Sequence, residues 1–360
     1  MARGYLVLGD GTVYEGNLFA DPSPVDGEIV FGTGMGGYQE NLTDPSFAGQ
    51  ILVMTYPLIG SYGIAEEFSQ SNKAHVKGLV VRDACSRPTR AYGGMSLENY
   101  LAEQGVPGIS GIDTRDLVAH IRDNGAMKGA ITGSDVSPEE TVKRLSRLSD
   151  APCNYLKDVS VKDIVEIPGN KEMTVGVLDC GMKNALIDSL SSKFNVVIFP
   201  YDTPSDVLSE RKIDGLVISG GPGNPSNAEI VNTAGKTLKD LVSAVPMFGI
   251  GLGGQILAES LGAETYKMKN GHRGSSHPVL FDGRVYATSQ NHGYAVNKDS
   301  LGGTGLTVNQ TSVNDGSVEG CIHKNLPLLI TQYHPEAGPG STDTLFLFDK
   351  FGKTMKEAKR

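Results

Sequence analysis

No two of the four cysteines, Cys85, Cys153, Cys180 and Cys321, form a CxxC pair. Neither a structural zinc site nor a disulfide framework is suggested, and free thiols in a reducing compartment are the simplest account. Basic runs are also missing, and a formal net charge of −9 argues against a broad nucleic-acid surface. The first residues, M-A-R-G-Y-L-V-L-G-D, lack the apolar core of a signal peptide, and no later stretch is long and apolar enough to span a bilayer. The expectation is a cytoplasmic protein with no membrane or nucleic-acid partner and no metal. There is no internal repeat and no low-complexity tract.

What remains is an ordinary globular composition, 39% hydrophobic and 20% charged over 360 residues, enough for two domains. Residues 1–150 read as one. Tyr5–Leu8, Glu28–Phe31 and Gln50–Met54 are strand candidates, and Asp10-Gly11 marks a hairpin turn. A glycine-rich connection, F-G-T-G-M-G-G-Y-Q-E-N-L-T-D-P-S-F, separates the second and third strands. Helical periodicity at Ser96–Glu103 and Asp113–Arg122 completes a mixed β/α domain. Residues 151–172, polar and carrying Pro152, Pro168 and Gly169, read as a linker.

From residue 173 to 360 the pattern becomes regular. Strands at Val175–Leu178, Val196–Phe199, Gly215–Ser219 and Met247–Ile250 alternate with helices at Lys183–Ser192, Ser205–Ser209 and Asn227–Val242. That alternation predicts a doubly wound, mainly parallel sheet with ligands at the carboxyl ends of its strands. Shorter β-like runs follow, including Val285–Ser289 and Leu328–Gln332, and a helix over Thr342–Lys356 closes the chain.

Three glycine-containing loops fall at strand ends of this second domain. V-P-M-F-G-I-G-L-G-G-Q-I-L-A-E-S, Val245–Ser260, reads as strand, tight elbow and helix. An elbow of this kind exposes one side chain beside the N–H groups of a helix start, where enzymes place a nucleophile. Here that position is Gly251. The loop S-G-G-P-G-N-P, Ser219–Pro225, offers backbone N–H groups suited to an oxyanion, or is a plain Gly-Pro turn. In Q-Y-H-P-E-A-G-P-G, Gln332–Gly340, Glu336 stands two residues after His334, a base with an orienting carboxylate or a packed histidine. Gly249, Gly251 and Gly254 also satisfy G-x-G-x-x-G, but on the domain's fourth strand and with Lys267-Met268-Lys269 where a ribose-binding acid belongs.

Together the three loops resemble those of class I glutamine amidotransferases, whose elbow reads G-I-C-L-G-H/N-Q and whose last loop carries H-P-E. The first domain narrows the resemblance. G-Y-Q-E-N-L-T-D-P-S at Gly37–Ser46, T-Y-P-L-I-G at Thr55–Gly60, V-V-R-D at Val80–Asp83 and G-I-D-T-R at Gly111–Arg115 look like the small chain of carbamoyl-phosphate synthase. So does Q-N-H-G-Y at Gln290–Tyr294. The resemblance implies a glutamine site of Ser46, Gly221, Gly223, Leu252, Gln255, Asn291, Gly293 and Tyr294, with His334 as base and Glu336 as its orienter. It implies a cysteine thiolate that forms a glutamyl thioester and releases ammonia to a large chain, which makes carbamoyl phosphate for arginine and pyrimidine biosynthesis. ATP and a divalent metal are then expected on the large chain and no cofactor on this one. Heterodimers that assemble further are expected, with the first domain contacting the large chain.

Two departures stand out. At the elbow Gly251 occupies the nucleophile position and Gly254 that of the usual His or Asn, and elsewhere Ala185 replaces an asparagine of the D-x-G-x-K-x-N run. Loss of an acyl-transfer nucleophile lowers activity by roughly 10⁴-fold to 10⁶-fold. Cys180, after the domain's first strand, is the one thiol placed near the same edge. The chain is expected to be either a crippled glutaminase subunit or a structural and regulatory subunit of an ammonia-dependent synthase.

Overall fold

The structure, a computed structural model, describes residues 2–89, 94–148 and 153–359. The chain forms two compact units, Met1–Ala151 with Lys269–Arg273, and Pro152–Met268 with Gly274–Arg360. The boundary expected at residue 150 and the linker's Pro152 lie outside the described residues.

The first unit is a closed barrel of seven strands: β1 (Arg3–Leu8), β2 (Val13–Ala20), β3 (Val25–Gly32), β4 (Gln50–Ile59), β5 (Gly78–Ala84), β6 (Pro107–Ser110) and β7 (Met127–Gly133). β3, β4, β5 and β6 run parallel in succession, and antiparallel β1, β2 and β7 close the ring. Successive side chains of a strand point to opposite faces, so β4 feeds two cores. Ile51 and Val53 pack with Leu117 and Ile121 of the helix Thr114–Asn124. Leu52 and Met54 pack with Leu97 and Leu101 of the helix Leu97–Glu103. Both helices start one residue after the expected position because Ser96 and Asp113 are caps, their side chains accepting from backbone N–H groups of the first turn. The glycine-rich connection before β4 holds a short helix, Tyr38–Thr43, and a 3₁₀ turn, Pro45–Phe47.

The second unit contains β8 (Val165–Ile167), β9 (Thr174–Asp179), β10 (Asn195–Pro200), β11 (Gly215–Ile218), β12 (Met247–Ile250), β13 (Thr265–Phe281, apart from its stretch Lys269–Arg273), β14 (Arg284–Val296), β15 (Leu306–Ser312), β16 (Val318–His323) and β17 (Leu328–Thr331). Its centre is parallel, in the order β10, β9, β11, β12, β17. Helices Asn184–Ser191 and Phe346–Ala358 cover one face through Leu186, Leu190, Phe348 and Phe351. The elbow helix Leu252–Ser260 and the helix Lys236–Leu241 cover the other through Leu252, Ile256 and Leu238. Near-continuous apolar strands covered on both faces make this the expected doubly wound sheet.

Three elements differ from the sequence expectation. The helix expected over Asn227–Val242 is three pieces, Ala228–Ile230, a π-helical turn Val231–Gly235 and Lys236–Leu241, and Gly235 supplies no side chain to stiffen the middle. The linker region holds a helix, Leu156–Val159, and β8, which pairs antiparallel with β10; an edge strand so short leaves little compositional trace. The last helix begins at Phe346 rather than Thr342.

Candidate active site

The carboxyl ends of β9, β11, β12 and β17 deliver the three loops to one place. β12 is wholly buried and turns at Gly251 (φ 53°, ψ −120°) into the elbow helix. A positive φ of this kind suits glycine and is strained for any other residue, the usual backbone of a nucleophile elbow. The turn is pinned by hydrogen bonds. The Gly251 N–H donates to the Thr331 carbonyl (2.8 Å), the Gln255 N–H to the Gly251 carbonyl (3.1 Å) and the Gly253 N–H to the Ser219 carbonyl (3.1 Å). The G-x-G-x-x-G pattern has a packing cause: a Cβ on Gly249 would lie 2.6 Å from Gly254 Cα, so these glycines press helix against strand.

The nearest atoms to a Cβ on Gly251 would be Gly220 Cα at 3.5 Å, the Gln332 carbonyl oxygen at 3.7 Å and His334 Cε1 at 3.8 Å. These are ordinary contact distances, so the elbow has room for a side chain aimed at the imidazole. Its neighbours in the Ser219–Pro225 loop have no such room. A Cβ on Gly220 would fall 2.6 Å from His334 Cε1, and one on Gly221 would fall 1.9 Å from the Cys180 carbonyl oxygen. Gly223 turns at φ 104°. Ser219, fully buried, accepts the Cys180 N–H at its Oγ (2.9 Å) and fixes the loop's start.

His334 and Glu336 are buried, at 3% and 5% exposure. His334 Nδ1 lies 2.8 Å from Glu336 Oε1, which leaves Nε2 as the ring nitrogen for proton transfer. The His334 N–H donates to the Ser289 carbonyl (2.9 Å), tying the loop to β14. Lys183, missed in the sequence, stands behind the carboxylate. Its Nζ is 3.4 Å from Glu336 Oε1 and donates to the Ala337 carbonyl (2.5 Å). Burial alone would push the Glu336 carboxyl up; Lys183 first and His334 next outweigh it and hold the group down at about 2.

The remaining candidates divide by unit. Leu252 opens the elbow helix, and Asn291, Gly293 and Tyr294 lie on β14. Gln255 sends its amide NH₂ to the Tyr294 carbonyl (2.8 Å) and to Gln332 Oε1 (3.0 Å), so its donors brace the elbow helix against β14. Ser46 belongs to the first unit, buried in the turn Pro45–Phe47, where its N–H donates to Asp44 Oδ1 (2.8 Å). Its Oγ has no hydrogen-bond partner among the described residues. Cys180 is fully buried in an apolar cluster, and desolvation pushes its thiol far up. A thiol held neutral there is no substitute nucleophile.

The comparisons with known proteins cover both units. Residues 6–131 match the family "Carbamoyl-phosphate synthase small chain, CPSase domain", and residues 176–354 match "Glutamine amidotransferase class-I". The carbamoyl phosphate synthase small chain of Bacillus caldolyticus is 44% identical over 355 residues, 98% of this chain and 96% of that one. That of Clostridium acetobutylicum is 42% identical over 352 residues, 97% and 99% of the two chains. The pyrimidine-specific small chain of Bacillus subtilis is 44% identical over 358 residues, 99% and 96%.

Proposed function

The chain belongs to the carbamoyl phosphate synthase small-chain family, and we propose that it is a glutamine-site subunit from which only the nucleophile is missing. One observation carries the reading. Gly251 keeps the strained elbow backbone, with space for a Cβ 3.8 Å from His334 Cε1, and His334 is paired with Glu336 beside the glycine loop.

In this reading, glutamine lies along the elbow with its carboxamide near the Leu252 N–H and the Gly221 loop, held by Gln255, Asn291, Gly293 and Tyr294. Backbone N–H groups at a helix start and in a glycine loop suit the charge that develops on a carbonyl oxygen. His334 Nε2 takes and returns the proton, and Glu336 holds the ring in the tautomer that permits it. With glycine at 251 no thioester forms, so glutamine hydrolysis is expected to lie roughly 10⁴-fold to 10⁶-fold below that of a cysteine-bearing site. The large chain, which carries ATP and a divalent metal, then draws on free ammonia for carbamoyl phosphate, feeding pyrimidine and arginine synthesis. The first unit supplies the large-chain contact.

Gly251 itself favours a second reading, a structural and regulatory subunit with no residual glutaminase role. The unaltered complex with the large chain tests the first. Calorimetry should detect bound glutamine, and carbamoyl phosphate synthesis should run on ammonium and be negligible on glutamine. Absence of glutamine binding would favour the second reading, and synthesis from glutamine at a rate matching ammonium would contradict both.

A further inference from the structure

Along β14 the glutamine-pocket residues Asn291 and Gly293 alternate with Gln290 and His292, which make a buried polar chain that reaches the Tyr294 carbonyl. Glu319 on β16 is fully buried, and Gln290 and His292 are 3% and 7% exposed. Gln290 Nε2 donates to Glu319 Oε2 (2.8 Å) and to Thr288 Oγ1 (3.1 Å). His292 Nε2 lies 2.8 Å from Gln290 Oε1, and His292 Nδ1 lies 2.8 Å from the Tyr294 carbonyl oxygen.

Donor and acceptor identities propagate along this chain. An ionised carboxylate only accepts, so the Gln290 amide must turn its NH₂ to Glu319 and its oxygen to His292. His292 must then donate from Nε2. Its other nitrogen faces a backbone carbonyl, which also only accepts, so Nδ1 donates too. At the far end, the Tyr294 carbonyl also receives Gln255 Nε2 from the elbow helix (2.8 Å).

We propose that Glu319 is a positioning residue for glutamine binding, acting through Gln290 and His292 on the Tyr294 carbonyl and so on the β14 edge of the pocket. The proposal rests on the reading above, that Asn291 to Tyr294 line the glutamine site. Without the carboxylate, only Thr288 Oγ1 is left to hold the Gln290 NH₂ in this orientation. A flipped amide meets His292 donor to donor, and the carbonyl shared with the elbow helix shifts.

The glycine at 251 makes the test direct, because bound glutamine is not consumed and a dissociation constant can be read by calorimetry on the complex with the large chain. Gln290→Glu sets a second carboxylate against Glu319 and should weaken glutamine binding about tenfold, the scale of one buried hydrogen bond to a charged group. The exchanged pair, Gln290→Glu with Glu319→Gln, restores the order of donors and acceptors and should bring affinity back to within about threefold. The exchange also covers the case in which the single variant does not fold. An unchanged constant in a folded single variant overturns the proposal. So does an exchanged pair that folds with an unaltered melting temperature yet stays weak, since only packing would then matter. If the unaltered complex binds no glutamine, the pocket reading itself has failed.

Discussion

At the scale of single residues, the site is defined by where a Cβ is and is not tolerated. There is space for one at Gly251, where the positive φ strains it, and none at Gly220, whose Cβ would fall 2.6 Å from the His334 ring. In a chain already carrying Gly251→Cys, Gly220→Ala should therefore lower kcat/KM for glutamine by about 10² or more, because a misplaced base loses its reaction geometry. Circular dichroism should show the fold kept. Glu336 gives a prediction in pH. Its carboxyl sits at about 2 rather than 4.5, so its contribution to stability is whole above the ordinary carboxylate range and is lost as pH falls toward 2. Lys183→Met removes the largest stabilising charge, so acid unfolding followed by fluorescence should begin at higher pH than in the unaltered chain. An unshifted acid transition would mean that Lys183 does not hold the carboxylate down. The contact between His334 and Glu336 was legible in the sequence because H-P-E follows an apolar strand. Lys183 was not, because its role depends on a loop more than 150 residues later, and a distance of that kind leaves no local pattern.

At the scale of elements, the elbow is strand, turn and helix pressed together by glycine. Gly249→Ala would put a methyl group 2.6 Å from Gly254 Cα. Overpacking of this sort costs about 1–3 kcal/mol, so the melting temperature of the second unit should fall, with glutamine affinity falling in parallel as the helix start retreats. An unchanged melting temperature would show that helix and strand separate without cost. The elbow's bounds, Met247–Ile250 and Leu252–Ser260, agree with the sequence reading, because an apolar run, a glycine turn and a 3.6-residue period coincide there. The stretch Asn227–Val242 was less legible, since its apolar period survives a π turn that breaks the hydrogen-bond ladder. The long strands β13 and β14 were hidden for another reason. Their polar positions, Gln290 and His292 among them, are buried against polar partners, so the alternation that marks a half-buried strand is absent.

At the scale of the molecule, the two units were read with unequal success. Parallel β/α alternation announces itself from β9 to the elbow helix of the second unit, and its fold class followed from that periodicity. In the first unit seven strands form a closed barrel, and closure depends on pairings between strands far apart in sequence, such as β2 with β6 and β1 with β7, which composition does not encode. There the motifs said more about the family than the period said about the fold. The central claim concerns the whole assembly, a glutamine site complete but for one sulfur atom. It is tested most directly by the steady-state rate of glutamine hydrolysis by Gly251→Cys bound to the large chain, against the unaltered complex. The account predicts a rise of at least about 10³-fold, within the range set by loss of such a nucleophile, with carbamoyl phosphate then made from glutamine. A folded variant that binds glutamine and hydrolyses it no faster than the glycine chain would contradict it.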